Sequence, residues 1–195
     1  PTRQTLLGRI KDQYDEESWA DFVSYYKGYI FAIVKRFGLE HHDCEDLVQS
    51  VILKMWEKLP EFQYDNTRGK FRSWLARVTT YQINDFYKKS TRLKRALEAG
   101  QLPRLEKFFK TTEAAELETI FKDEWENYVC DMAWGNVRQK LAPKVEANFQ
   151  MFLKGQDDAT VAEELELSLS SVRVYRKRVQ DKLYREVSRL ERELN

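Results

Sequence analysis

The chain has 195 residues, 42% of them hydrophobic and 13% aromatic, which is enough apolar mass for one large or two small packed domains. Its net charge of +1 conceals strong segregation: residues 68–95 hold nine Lys or Arg and one acid, whereas 113–131 hold seven acids and one Lys. No apolar run approaches the roughly 20 residues of a membrane span and no charged-then-apolar segment opens the sequence, so a protein without a membrane, in the cytoplasm, is expected.

The first apolar stripe places Trp19, Phe22, Val23, Tyr26, Ile30, Ile33, Val34 and Phe37 on one helical face, with Gly38 as its stop. A second helix begins at Asp43, buries Leu47, Val48, Val51, Ile52, Met55 and Leu59, and ends at Pro60. At about 100° per residue, Asp46, Gln49, Leu53 and Glu57 fall together on its opposite side. Leu53 is thus an apolar residue among polar ones: a stray exposed leucine, or part of a partner surface. His41, His42 and Cys44 lie near one another, but no second cluster completes four ligands, so no metal is expected. Cys44 and Cys130 form no CxxC pair, which fits a reducing compartment without a disulfide. With no glycine-rich phosphate loop and no nucleophile with a His partner, neither an enzyme nor a cofactor is expected.

After Pro60 comes a polar loop carrying Phe62, Tyr64, Asn66, Arg68 and Lys70, then a helix whose inward stripe is Phe71, Trp74, Leu75, Val78 and Phe86. Its remaining surface is expected to hold Arg72, Arg77, Asn84, Lys88 and Lys89 interleaved with Tyr81 and Tyr87. Cations that follow phosphates beside rings that stack on unpaired bases suit single-stranded nucleic acid, although aromatic residues are more often simply core.

Residues 93–112 are expected to be a linker, since Gly100 to Pro103 interrupt any helix. Beyond it, Leu117, Ile120, Phe121, Tyr128 and Met132 make a helix with an acidic outer face, and Pro143 starts another with Val145, Phe149 and Phe152 that stops at Gly155. Both are expected to pack under the last pair of helices. That pair is a helix-turn-helix. Its first helix opens at Asp157 or Asp158 and carries Val161, the small Ala162 and Leu165; Leu167 lies in the turn, where Glu166 occupies a position that commonly needs glycine. Ser168 caps the second helix, whose inner stripe runs Val172, Tyr175, Val179, Leu183, Val187 and Leu190. Its outer face bears Ser170, Ser171, Arg173, Val174, Arg176, Lys177 and Arg178, residue types that neutralise phosphates and donate to guanine edges in a major groove. A solvated amphipathic helix is the plainer reading; the small residue, the turn spacing and the cap favour DNA.

DCEDLVQSVILKMWEKL followed by FRSWLARV and DFYKK resembles region 2 of the sigma factors of bacterial RNA polymerase, and VAEELELSLSSVRVYRKRV resembles their region 4. The two-domain length resembles the extracytoplasmic-function group of the sigma-70 family. The resemblance implies an all-α protein with region 2 in residues 1–92, a linker in 93–112 and region 4 in 113–195. It further implies a promoter-specificity subunit without chemistry of its own. Asp46, Gln49, Leu53 and Glu57 would dock on the clamp of the largest subunit of core RNA polymerase, and region 4 on the flap of the second largest. Phe62 to Lys70, with Arg72, Arg77, Tyr81, Asn84, Lys88 and Lys89, would read and melt the minus-10 element; the Ser168 helix would read the minus-35 element. The partners so implied are core polymerase, promoter DNA in duplex and single-stranded form, and an anti-sigma inhibitor, the chain being monomeric outside holoenzyme. Ser50, Tyr81 and Glu166 depart from the family's Glu, Asn and Gly. The alternative is a free-standing helix-turn-helix regulator that binds duplex operator DNA.

Overall fold

The computed structural model describes residues 3–12, 14–61, 70–89 and 114–194. Among these are eight α-helices and no strand: α1 (Arg3–Arg9), α2 (Glu16–Arg36), α3 (His41–Lys58), α4 (Phe71–Lys89), α5 (Ala114–Arg138), α6 (Pro143–Leu153), α7 (Asp158–Glu164) and α8 (Leu169–Leu194). The fold is all-α. Two compact units divide the chain, Pro1–Tyr128 with Leu194–Asn195, and Val129–Glu193. The division falls inside α5; residues 93–112, expected to be the linker, lie outside the described residues.

In the first unit, Asp15 caps α2 by accepting from the backbone N–H of Ser18 at 3.0 Å and is itself held by Arg9 at 2.9 Å. The short helix α1 buries Leu6 and Leu7; the periodicity reading did not anticipate it. Helix α2 ends at Gly38, whose φ of 72° is the left-handed turn that a glycine enters without strain. Its buried stripe is Phe22, Tyr26, Tyr29, Ile30, Ile33 and Val34, close to expectation with Tyr29 added. Helix α3 starts at His41 rather than Asp43, which lies within its first turn, and buries Leu47, Val48, Val51 and Met55. A 3-10 turn, Leu59–Glu61, follows it and contains Pro60.

Helix α4 buries Phe71, Leu75, Ala76, Thr79 and Ile83, while Trp74, Val78 and Phe86 are half-buried. The inner face is thus turned slightly from the expected stripe. One consequence is a correction: Arg72, expected on the surface, is buried, its guanidinium 5.7 Å from the centroid of the Trp125 ring.

The first half of α5 packs in this unit, not under the helix-turn-helix as expected. Trp125 is fully buried, edge-on to Tyr29 at 5.0 Å, in a cluster that includes Tyr26 and Phe71. The Tyr29 hydroxyl donates to the carbonyl of Phe121 at 3.2 Å, and that of Tyr128 to the carbonyl of Tyr25 at 2.8 Å. Burial raises both phenols, Tyr128 to about 12. Gly28 gives the Tyr128 ring its seat: a Cβ there would lie 2.6 Å from Cε2.

The second unit is built on Phe149 of α6, which contacts Trp134 at 5.4 Å and Phe152 at 5.9 Å, and on the buried Val161, Val172, Val179 and Leu190. Buried Asn148 donates to the carbonyl of Val172 at 3.1 Å and so ties α6 to α8. Pro143 occupies the first turn of α6, where a missing N–H costs nothing, and Gly155 closes its end with φ 81°.

Candidate nucleic-acid interface

In α7 and α8, short-range hydrogen bonds fix the angle at which one helix follows the other. Asp157 caps α7, accepting from the N–H groups of Ala159 at 2.9 Å and Thr160 at 3.0 Å, and these bonds hold its carboxyl below the ordinary range. The helix ends in a Schellman motif: Leu167 N–H reaches the carbonyl of Ala162 at 2.9 Å and Glu166 N–H that of Glu163 at 3.3 Å. Glu166, at the left-handed position of that motif, has φ 53°. The anticipated strain is therefore present. From α6, Lys144 donates to the carbonyl of Leu165 at 3.1 Å, placing a cation at the negative end of α7.

Ser168 caps α8 as expected, accepting from Ser171 N–H at 3.1 Å; its hydroxyl also lies 2.9 Å from that of Ser170 and 2.8 Å from that of Ser171. The hydroxyls of Ser170 and Ser171 are thus engaged at the cap. Val174, Lys177 and Arg178 are exposed. Arg173 is exposed too, yet its Nε donates to Asp158 at 2.9 Å. Arg176 departs most from expectation. Only 24% of its side chain is exposed, it is bound to the same carboxylate at 2.6 Å, and its guanidinium lies 4.8 Å from the centroid of the Phe152 ring. It braces the motif from within. The two arginines lower the Asp158 carboxyl.

Beside this face, a groove of about 270 Å³ runs between the start of α6 and the middle of α8, with Lys140, Arg178, Lys182 and Arg185 around an apolar floor that includes Val145 and Val179. Sequence reasoning passed over Lys140, Lys182 and Arg185 because they lie outside the motif and look like ordinary surface charge. Asp158 as a clamp was also missed; its only sequence signal was an acid at the start of a helix that precedes a basic one.

In the first unit, Arg77, Tyr81 and Asn84 fall on one face of α4 by helical spacing, with Tyr81 70% exposed and Asn84 half-buried. Arg77 Nε donates to the carbonyl of Ser73 at 3.4 Å. Tyr87 is half-buried and its hydroxyl donates to Phe37 O at 3.3 Å, so it is less open than expected. Lys70 is exposed; Phe62, Tyr64, Asn66 and Arg68 lie outside the described residues, as do the side chains of Lys88 and Lys89. On α3, Asp46, Gln49, Leu53 and Glu57 are all exposed, Leu53 to 60%, and Glu57 pairs with Lys54 at 2.8 Å. Among the described residues no group of three His, Cys, Asp or Glu is arranged to hold a metal, and no helix is long and apolar enough to cross a membrane.

Residues 22–93, which hold most of α2 and all of α3 and α4, match the family model of sigma-70 region 2. Over this segment the chain is similar to the sigma-70 family. It is 26% identical over 94 residues to a protein described as an ECF RNA polymerase sigma factor, SigE, of Mycolicibacterium smegmatis. That alignment covers 48% of this chain and 35% of the relative, so the chain spans about a third of the length of the curated relative it matches. Among solved structures, one titled "Structure of CnrH in complex with the cytosolic domain of CnrY" is 18% identical, covers 95% of this chain and 97% of its own, and superposes with a TM-score of 0.38. A superposition that loose says nothing about this chain.

Proposed function

We propose that this protein is a promoter-specificity subunit that joins core RNA polymerase and directs transcription initiation at promoters with minus-35 and minus-10 elements. The observation that carries the reading is the sigma-70 region 2 match over α2 to α4. The exposed row Asp46, Gln49, Leu53 and Glu57 on α3 is the surface proposed for the clamp of the largest subunit. Lys70, Arg77, Tyr81 and Asn84, with Phe62, Tyr64, Asn66 and Arg68 of the preceding segment, are proposed to hold the opened minus-10 strand. Arg72 is dropped from that set because it is buried.

Arg173, Val174, Lys177 and Arg178 of α8 are proposed to read the minus-35 duplex, and Arg176 to hold the motif's shape. Functionally the chain divides at its 93–112 segment, into a polymerase-binding and melting part before it and a duplex-reading part after it. The protein acts in the cytoplasm, is a monomer outside holoenzyme and catalyses no reaction itself.

The test is reconstitution with core RNA polymerase from the same source. Co-purification of the two, and transcription from defined start points that core alone does not use, are expected. A chain that binds duplex DNA but never joins core polymerase would be a free-standing regulator instead. Within a working holoenzyme, Tyr81→Ala should slow promoter opening while leaving upstream-element binding unaltered, since a stacked ring is worth about 1–3 kcal/mol per base.

A further inference from the structure

Arg173 and Arg176 lie on successive turns of α8 and both reach one carboxylate on the preceding helix. Asp158 accepts from Arg173 Nε at 2.9 Å through Oδ2, and from Arg176 Nη1 at 2.6 Å through Oδ1. The two arginines differ in every other respect. Arg176 is three-quarters covered and its guanidinium faces the Phe152 ring, whereas the Arg173 side chain is 66% exposed and its Nη groups make no bond among the described residues. A chain of contacts therefore runs from the half-buried Phe152 ring through Arg176 and Asp158 to Arg173.

An exposed arginine samples many rotamers, and a donor fork is useful for reading only when its plane is set. A carboxylate at Nε sets it. The bond on that side leaves the Nη donors for a bidentate contact, and among base edges in the major groove guanine offers two acceptors side by side, N7 and O6. We propose that Asp158 is a positioning residue for sequence reading: it fixes the Arg173 guanidinium so that it reads a guanine in the duplex. The inference rests on the proposed minus-35 role of α8 and adds to it a residue on the other helix that touches no base.

A carboxylate beside DNA has a second, opposite effect, because it repels phosphates. Removing it should raise affinity for all duplexes alike while base preference falls, a pair of changes that loss of folding does not produce.

The experiment uses the full chain, assembled with core RNA polymerase, and a duplex selected by the wild-type assembly from a randomised pool. Each base pair of that duplex is then varied for Asp158→Asn, Asp158→Ala, Arg173→Ala and the double variants, with thermal melts recorded for every chain. Arg173→Ala should lose roughly 10-fold to 100-fold preference at one G·C pair. Both Asp158 variants should lose preference at that same pair, with melting midpoints close to wild type for Asp158→Asn, and should add nothing once Arg173 is alanine. Retained preference in both Asp158 variants beside a loss in Arg173→Ala would overturn the proposal and leave the DNA reading standing. An Arg173→Ala chain with unchanged preference, or a wild-type assembly that selects no sequence, would instead overturn the assignment of α8. Uniform loss of preference at every position, together with a lowered melt, would reduce Asp158 to a structural tie.

Discussion

Glu166 shows how a single backbone angle can be legible before any coordinates. In the helix-turn-helix spacing its position demanded a left-handed residue, and it has φ 53°. With a Cβ, that conformation costs about 1–2 kcal/mol, so Glu166→Gly should stabilise the protein, by about 1 kcal/mol once glycine's extra freedom in the unfolded chain is subtracted. Urea unfolding followed by circular dichroism reads this directly. Glu166→Ala, which keeps the strain, serves as the control, and a glycine variant no more stable than the alanine one would contradict the account. Other residues were less legible for a definite reason. Arg72 sits next to Phe71 in sequence and so lies about 100° round the helix from it, yet the ring its guanidinium meets is that of Trp125, more than fifty residues further along the chain. Likewise Arg173 and Arg176 read as a basic face, because their partner Asp158 belongs to another helix. Periodicity assigns a side chain to a face; it does not name what waits there.

At the scale of the helix the same division recurs. The stripes of α2, α3 and α8, the stop at Gly38, the start at Pro143 and the cap at Ser168 follow from local rules, because 3.6-residue spacing and capping involve only neighbours in the chain. Helix α5 does not. Its apolar residues were recognised in part, but a stripe carries no label for its partner, and the first half packs against Tyr26 and Tyr29 rather than beneath the helix-turn-helix. Further along, α5 and α8 are tied in the second unit by Asn136, which donates to Glu186 at 2.8 Å, while Arg189 donates to the same carboxylate at 2.6 Å. The bond from Arg189, reinforced by that from Asn136, lowers the Glu186 carboxyl to about 2. A carboxyl depressed in the folded state contributes stability that is full above the ordinary glutamate range and is lost as pH falls from there towards about 2. Glu186→Gln should therefore be less stable near neutrality and should flatten the acid limb of the stability curve. Melts between pH 6 and pH 2.5 measure it; parallel acid limbs for the two proteins would mean that the network does not hold the charge.

Across the whole molecule, what decides function is which surface stays unused by folding. Helix α3 is the clearest case, since one side supplies Leu47, Val48, Val51 and Met55 to the core while the other leaves Asp46, Gln49 and Leu53 exposed. The bond from Ser50 Oγ to the Asp46 carbonyl at 3.0 Å uses backbone and would survive substitution of Asp46, and the pair of Glu57 with Lys54 involves neither substituted residue. Asp46→Arg combined with Leu53→Asp should accordingly change stability by no more than about 0.5 kcal/mol, the ordinary range for surface sites. If the row is the polymerase contact, reversing a charge and placing a carboxylate at an apolar anchor should remove at least about 2 kcal/mol of binding, or roughly 30-fold in affinity. Met55→Ala is the mirror experiment: Met55 is fully buried, so truncation should cost about 2–5 kcal/mol of stability while a folded fraction still binds polymerase. Thermal melts and co-purification with core polymerase, run on all three chains, separate the two surfaces. A double variant that melts early would show that the row supports the fold, and one that melts normally and still joins polymerase at full strength would remove α3 from the proposed interface.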